Sequence, residues 1–264
     1  MTTVLMCRPD YYGIEYEINP WMRRQRPADR CRAAMQWRAL HQALSSLGVC
    51  VELVIPMPGL PDLVFTANGG LVHDGLAVLS NFRYPQRASE QPIFRAWFES
   101  HGLRVVELPA SLRFEGAGDA FIVGERLFAG YPFRSDQGAH ACIGRILDKE
   151  PVSLELVDPC FYHLDTCFAP LNEHAALYYP EAFSPVSRDL LRAHFPDLVA
   201  VSPAEARRFA CNAVVIGDSV VLNRGCPETE AHLADRGYKT IPIATGEFIK
   251  AGGSAKCLTL FVER

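Results

Sequence analysis

Helical stripes and short β-rich runs alternate along the whole chain, and several of the runs leave turns of small residues set around one polar side chain. Residues 29 to 47 carry Ala33, Trp37, Leu40, Leu44 and Leu47 at helical spacing, which predicts one buried helix face ended by Gly48. Residues 92 to 101, with Phe94, Trp97 and Phe98 ahead of Gly102, predict a second helix, and 138 to 148 and 186 to 195 two more. Pro227 opens and Gly237 closes another, while Ser202-Pro203-Ala204-Glu205 predicts a helix start held by a capping box. Each helix is followed by a β-rich run: Val49 to Ile55, Arg104 to Leu108, Val152 to Val157, Leu198 to Val201 and Lys239 to Ile243.

The polar turns repeat. Thr66-Ala67-Asn68-Gly69, Ala117-Gly118-Asp119-Ala120, His163-Leu164-Asp165-Thr166, Ala210-Cys211-Asn212-Ala213 and Ala255-Lys256-Cys257-Leu258 recur about every 47 residues, each ahead of a hydrophobic run. Paired short strands follow, such as Ala120 to Val123 with Arg126 to Ala129, and Ala213 to Ile216 with Ser219 to Asn223. One unit is therefore strand, strand, helix, strand. Five units fill residues 1 to 264 as a single α/β domain, with Val4 to Cys7 closing a ring against the last strand. Alternating strands and helices alone fit a doubly wound sheet equally well. In a ring, Asn68, Asp119, Asp165, Asn212 and Cys257 all approach the central axis.

Composition removes several function classes. The chain has 49% hydrophobic and 21% charged residues and a net charge of −4, with no basic patch that recommends nucleic acid. No run approaches the ~20 apolar residues of a membrane span, and the first residues do not read as a signal peptide. Nine scattered cysteines, an odd number without paired spacing, suit a reducing compartment and a cytoplasmic location. Cys167 and Cys211 read as small core hydrophobes.

Three stretches carry candidate chemistry. Phe114-Glu115-Gly116-Ala117-Gly118-Asp119 sets two acids around a glycine turn; His163 and Asp165, two apart on a strand edge, project to one face; Cys257 follows the glycine-rich Ala251-Gly252-Gly253-Ser254. Taken singly, each reads equally well as structure. Their equivalent places in the repeat bring a thiol, an imidazole and carboxylates together. Such a pocket suits a planar guanidinium, whose N–H groups pair with carboxylates while its central carbon stays open to a thiolate. Neighbouring carboxylates are expected to raise the Cys257 pKa, and a bound cation or protonated His163 to lower it. The spacing of His163 and Cys167 does not argue for a metal, and no cofactor is required.

At these residues the chain resembles the guanidine-modifying superfamily of pentein fold, which contains arginine deiminases, dimethylarginine dimethylaminohydrolases and amidinotransferases. The resemblance implies a five-fold α/β propeller around a central active site. It implies Cys257 as nucleophile, His163 as general acid and base, Glu115 and Asp165 as guanidinium clamps, and Asp119 as the group orienting His163. By the same resemblance Arg87 and Arg134 would bind a substrate carboxylate, and Asn19, Asp62 and Phe65 would contact substrate. Phe65-Thr66-Ala67-Asn68 has asparagine where arginine deiminases have aspartate, and with Phe161 to Phe168 and Lys250 to Leu260 it is similar to the cyanobacterial type of arginine dihydrolase. That type implies conversion of arginine to ornithine, two ammonia and carbon dioxide, with Asn68 holding the ureido group for a second attack.

Arginine deiminase is the near alternative, and dimethylarginine hydrolysis and amidine transfer stay open. A non-catalytic ring that binds a large partner, as in the ribosomal anti-association factor of pentein fold, has no use for Cys257, His163, Glu115 and Asp165 together. The expected partner is therefore a small molecule, without nucleic acid or membrane; the sequence leaves the oligomeric state undetermined.

Overall fold

The computed structural model describes residues 2–263, and in it the five repeats close into a ring of five three-stranded sheets. In the first complete unit, Gly70–His73 pairs antiparallel with Leu76–Leu79, which pairs parallel with Arg104–Glu107. An antiparallel neighbour needs only a tight turn, here Asp74 and Gly75, both at positive φ. A parallel neighbour needs a crossover, and the helix Gln91–Ser100 supplies it. The same order recurs with Ala120–Val123, Arg126–Tyr131 and Glu150–Glu155, then with Phe168–Pro170, Ala175–Tyr178 and Asp197–Ala200. It recurs again with Val214–Ile216, Ser219–Asn223 and Lys239–Ile243. The last unit is shared by the two ends of the chain. Leu260–Phe261 pairs antiparallel with Thr3–Cys7 through Val4 and Phe261, and Thr3–Cys7 pairs parallel with Cys50–Val54.

The helices bury the stripes read from the sequence. Arg30–Ser46 buries Ala33, Trp37, Leu40 and Leu44, and Asp29 caps it by accepting from the Arg32 N–H; Leu47, half-buried, ends it. Burying Leu40 and Leu44 stabilises by ~1.5–3 kcal/mol each, so either position truncated to alanine loosens this helix from its sheet. Gln91–Ser100, Gln137–Leu147, Pro185–His194 and Pro227–Ala234 occupy the other predicted ranges to within a few residues. Cys167 and Cys211 are buried in an apolar cluster, as read.

Two local predictions fail: His163 immediately precedes and Asp165 lies within a 3-10 turn, Leu164–Thr166, rather than on a strand edge, and the capping box at Ser202 does not form. Ser202 makes no side-chain cap, and the helix it precedes is a single turn, Pro203–Ala206. Glu205 turns instead to the start of Pro227–Ala234, where its carboxylate accepts from the N–H groups of Glu228 and Thr229 and the Thr229 hydroxyl at 2.6–2.8 Å. The buried carboxylate finds the unsatisfied N–H groups and positive end of a neighbouring helix, which outcompete the Ser202 backbone.

The polar turns are what the ring is built to hold. Thr66–Gly69, Gly116–Gly118 and Leu164–Thr166 are each one turn of 3-10 helix at the axis. Gly116 lies at φ +63°, and a Cβ there would stand 2.7 Å from the carbonyl oxygens of Ala67 and Gly70. Only glycine lets adjacent units approach that closely.

Candidate active site

Asn68, His163 and Cys257 line one narrow cavity at the axis, together with Asn19, Asp62, Phe65, Arg87, Arg134 and Tyr162. Glu115, Asp119 and Asp165 lie behind it, fully buried, and hold the lining residues in place. Every site residue named from the sequence is thus at the cavity or bonded to a residue that lines it, except Asp119, which bonds Leu164 and Ser135, the chain neighbours of His163 and Arg134.

Cys257 sits at the end of the turn Ala251 to Ser254. Gly252 is at φ +84°, and a Cβ on Gly253 would lie 2.5 Å from the Phe65 ring, so both glycines are required for the turn to pass under Phe65 and Tyr162. The thiol contacts Asp165 Oδ2 at 3.2 Å and accepts from Asn212 Nδ2 at 3.0 Å. Burial first, and then the Asp165 carboxylate, push the thiol well above its ordinary pKa. The expected influence of a carboxylate is present, but burial is the larger cause.

Asn212 is the residue that the sequence placed at the axis without giving it a task. Its Oδ1 accepts from the N–H groups of Ser254 and Cys257, and its Nδ2 donates to the Asp165 carbonyl as well as to the thiol. One buried amide therefore fixes the glycine turn, the Cys257 thiol and the neighbouring unit together. Its place in the repeat was the available signal.

His163 Nε2 is hydrogen-bonded to Glu115 Oε2 at 2.8 Å. Glu115 also accepts from Arg134 at 3.0 Å and from the Arg83 N–H at 3.1 Å. Burial raises the Glu115 carboxyl, but Arg134 and His163 outweigh it and hold the group below the usual carboxylate range. Glu115 is an anion spoken for by the protein, rather than the open clamp that the resemblance implied. It is Glu115 that orients the imidazole. Asp119 accepts from the Leu164 N–H and the Ser135 hydroxyl, so it braces the backbone beside His163 and makes no hydrogen bond to the ring. Burial lifts Asp119 to about 6, against the pull of His163 and Ser135.

Among the described residues two buried carboxylate oxygens have no partner: Asp165 Oδ1 and Asp62 Oδ1. Burial raises both acids, Asp165 to about 6 against the opposing effect of Lys256, and Asp62 against that of Arg87. An unsatisfied acceptor on a buried acid is expensive without a ligand. The site is thus poised for cationic N–H donors, one set next to the thiol and one beside Tyr16, which donates to Asp62 Oδ2.

The arginines are more enclosed than a simple carboxylate anchor. Arg87 pairs with Glu90 through Nε and NH2 at 2.8 and 2.7 Å, donates to Asn68 Oδ1 at 2.7 Å, and lies over the Phe82 ring. It fixes the Asn68 amide with its oxygen toward the arginine. Arg134 stands between the rings of Tyr84 and Tyr162 and donates to the Ile18 carbonyl as well as Glu115. Asn19 bridges the Trp21 and Met22 N–H groups to the Ala251 carbonyl, tying the N-terminal segment over the cavity.

A five-unit α/β ring with a buried cysteine, a histidine on a carboxylate and unfilled acids at its axis defines a pentein of the guanidine-modifying kind. The chain belongs to the family described as N,N dimethylarginine dimethylhydrolase, eukaryotic, whose model matches residues 9–263. It is 46% identical to the bifunctional arginine dihydrolase/ornithine cyclodeaminase ArgZ of Synechocystis over 98% of its length, and spans 37% of that protein. It is 45% identical to the dimethylarginine dimethylaminohydrolase of Mycobacterium tuberculosis, over 97% of this chain and 84% of that one. The crystal structure of the N-terminal domain of ArgZ covalently bound to a reaction intermediate superposes with a TM-score of 0.97 at 45% identity, covering 100% of this chain and 98% of that one. These relatives carry the names of an arginine dihydrolase and a dimethylarginine dimethylaminohydrolase.

Proposed function

We propose that the chain is an arginine dihydrolase, which hydrolyses L-arginine to L-ornithine, two ammonia and carbon dioxide on Cys257. The observation that carries this reading is Asn68, an amide on the cavity wall fixed by Arg87 at 2.7 Å. Structures of ArgZ with substrate and with product, at TM-scores of 0.97 and 0.96, support it.

Substrate guanidinium docks against the free oxygen of Asp165, and its positive charge offsets the carboxylate that disfavours the thiolate. Cys257 Sγ forms a bond to the guanidino carbon while its proton passes to His163, which is held by Glu115. The tetrahedral adduct expels ammonia, protonated by His163, and leaves an S-alkylthiouronium on Cys257. Water, deprotonated by His163, attacks the same carbon, the C–S bond breaks, and a ureido product forms. A neutral ureido group interacts weakly with carboxylates, whereas Asn68 both donates and accepts. Held there, it is attacked again by Cys257. A second ammonia leaves, a thiocarbamate forms, and a second water releases a carbamic acid that breaks down to ornithine and carbon dioxide. Two waters enter and every atom is accounted for.

Dimethylarginine hydrolysis is the second reading, favoured by the matched family and the Mycobacterium relative. The two separate on one variant and one substrate. Asn68→Asp places a carboxylate against the ureido group, so citrulline is expected to become the main product from arginine. Ornithine as sole product from that variant would refute the role of Asn68. Faster turnover of asymmetric dimethylarginine than of arginine by the unaltered enzyme would favour the second reading.

A further inference from the structure

Lys256 breaks the repeat. The residue ahead of the axial polar position is Ala67, Gly118, Leu164 and Cys211 in the other four turns, all apolar or small, and lysine in the fifth. Its side chain is buried, with 6% of the residue exposed, and it leans over the rings of Phe121 and Phe261 at 5.4 and 5.6 Å. Among the described residues the ammonium has no hydrogen-bond or ion-pair partner. Buried cations normally have one.

The ammonium opens on a cavity of about 410 Å³ that shares no lining residue with the cavity of Cys257. The five first strands run away from the polar turns, and Leu71, Phe121, Ala169, Val215 and Leu260, one from each, line this second cavity. It is therefore the other mouth of the ring. Its wall is mainly apolar, and at its rim His73 and Glu263 are bonded to each other at 2.8 Å. Among the described residues Lys256 is the one lysine on this wall: the Asp165 carboxylate acts on it from behind, but its ammonium is hydrogen-bonded to nothing, in a mainly apolar chamber large enough for a small organic molecule.

We propose that this rear chamber is a second ligand site, which binds a small aliphatic monocarboxylate with its carboxylate on Lys256 Nζ and its chain along the apolar wall. Coulomb attraction to an ammonium seated among apolar side chains is stronger than in bulk water, and the chain displaces water from apolar surface. The chamber shares no lining residue with the cavity of Cys257, and its existence does not depend on which guanidino substrate the enzyme takes.

The test is isothermal titration of sodium octanoate into enzyme whose Cys257 has first been alkylated with 2-chloroacetamidine, which closes the front cavity. Saturable one-to-one binding is expected. The affinity is expected to fall at least tenfold in Lys256→Met and in Val215→Trp, which fills the chamber while leaving the lysine. Octanamide, uncharged and of similar shape, is expected to bind unaltered enzyme at least tenfold more weakly than octanoate, a comparison that requires no variant to fold. Absence of saturable binding, equal affinity for octanamide and octanoate, or binding lost on alkylation of Cys257 would each overturn the proposal.

Discussion

Asn212→Asp separates what holds the Cys257 thiol from what would activate it as the proposed nucleophile. The carboxylate keeps an acceptor for the Ser254 and Cys257 N–H groups, which lie 3.1 and 3.2 Å from Oδ1. It removes the donor that reaches Sγ at 3.0 Å and the Asp165 carbonyl at 2.9 Å, and it turns negative charge toward a thiol already raised by burial and by Asp165. A hydrogen bond to a charged group contributes about 1.5–3 kcal/mol, and repulsion between thiolate and carboxylate adds to its loss. A barrier increase of ~2–4 kcal/mol corresponds to a fall in kcat of roughly 30- to 1000-fold. Asn212→Ala, by contrast, leaves two buried N–H groups without acceptors at ~1–3 kcal/mol each, and urea unfolding is expected to report that loss. The assay is kcat and urea stability for both variants, with the pH dependence of Cys257 alkylation for Asn212→Asp, whose alkylation profile is expected to move to higher pH. A kcat within threefold of the unaltered enzyme in Asn212→Asp would refute the claim that the amide serves the thiol.

Two further consequences follow from the same geometry. Burial raises Asp165 to about 6, and in the proposed mechanism its ionised form binds the cationic substrate, so kcat/KM is expected to rise with pH up to about 6 and then level on that limb; a profile flat from pH 5 to 7 would contradict the docking of guanidinium on Asp165. Gly253→Ala puts a Cβ 2.5 Å from Phe65 Cε1 and 3.3 Å from the Cys257 Cβ, and kcat/KM measured on the folded variant is expected to fall at least tenfold as Phe65 and the nucleophile are forced apart.

The elements that the sequence disclosed are those whose cause is local. Helical spacing at Ala33, Trp37, Leu40 and Leu44 names a buried face without reference to anything distant, and the helix lies there. The ring came from repetition of one polar position, which survives because five units share an axis. Hydrogen-bond assignments did not come through. Glu205 had a local reading beside Ser202 and a better distant one at Thr229, and the distant one prevailed. Glu115 and Asp119 stand four residues apart on one turn, and nothing in that spacing says which reaches His163. The answer depends on Arg134 and Ser135, which arrive from the far side of the hairpin Ala120 to Tyr131. Asn212 shows the converse: the repeat placed it at the axis, but its task is visible only when the turn at Ser254 and Cys257 folds onto it.

The most direct measurement on the dihydrolase reading is a complete product balance from L-arginine labelled at the guanidino carbon, with citrulline, ornithine, ammonia and carbon dioxide followed together through one time course. Ornithine in step with labelled carbon dioxide, two ammonia per arginine and no citrulline at any time is the predicted result. Citrulline accumulating with one ammonia per arginine, and no labelled carbon dioxide, would contradict it and leave Cys257 and His163 serving a single hydrolysis.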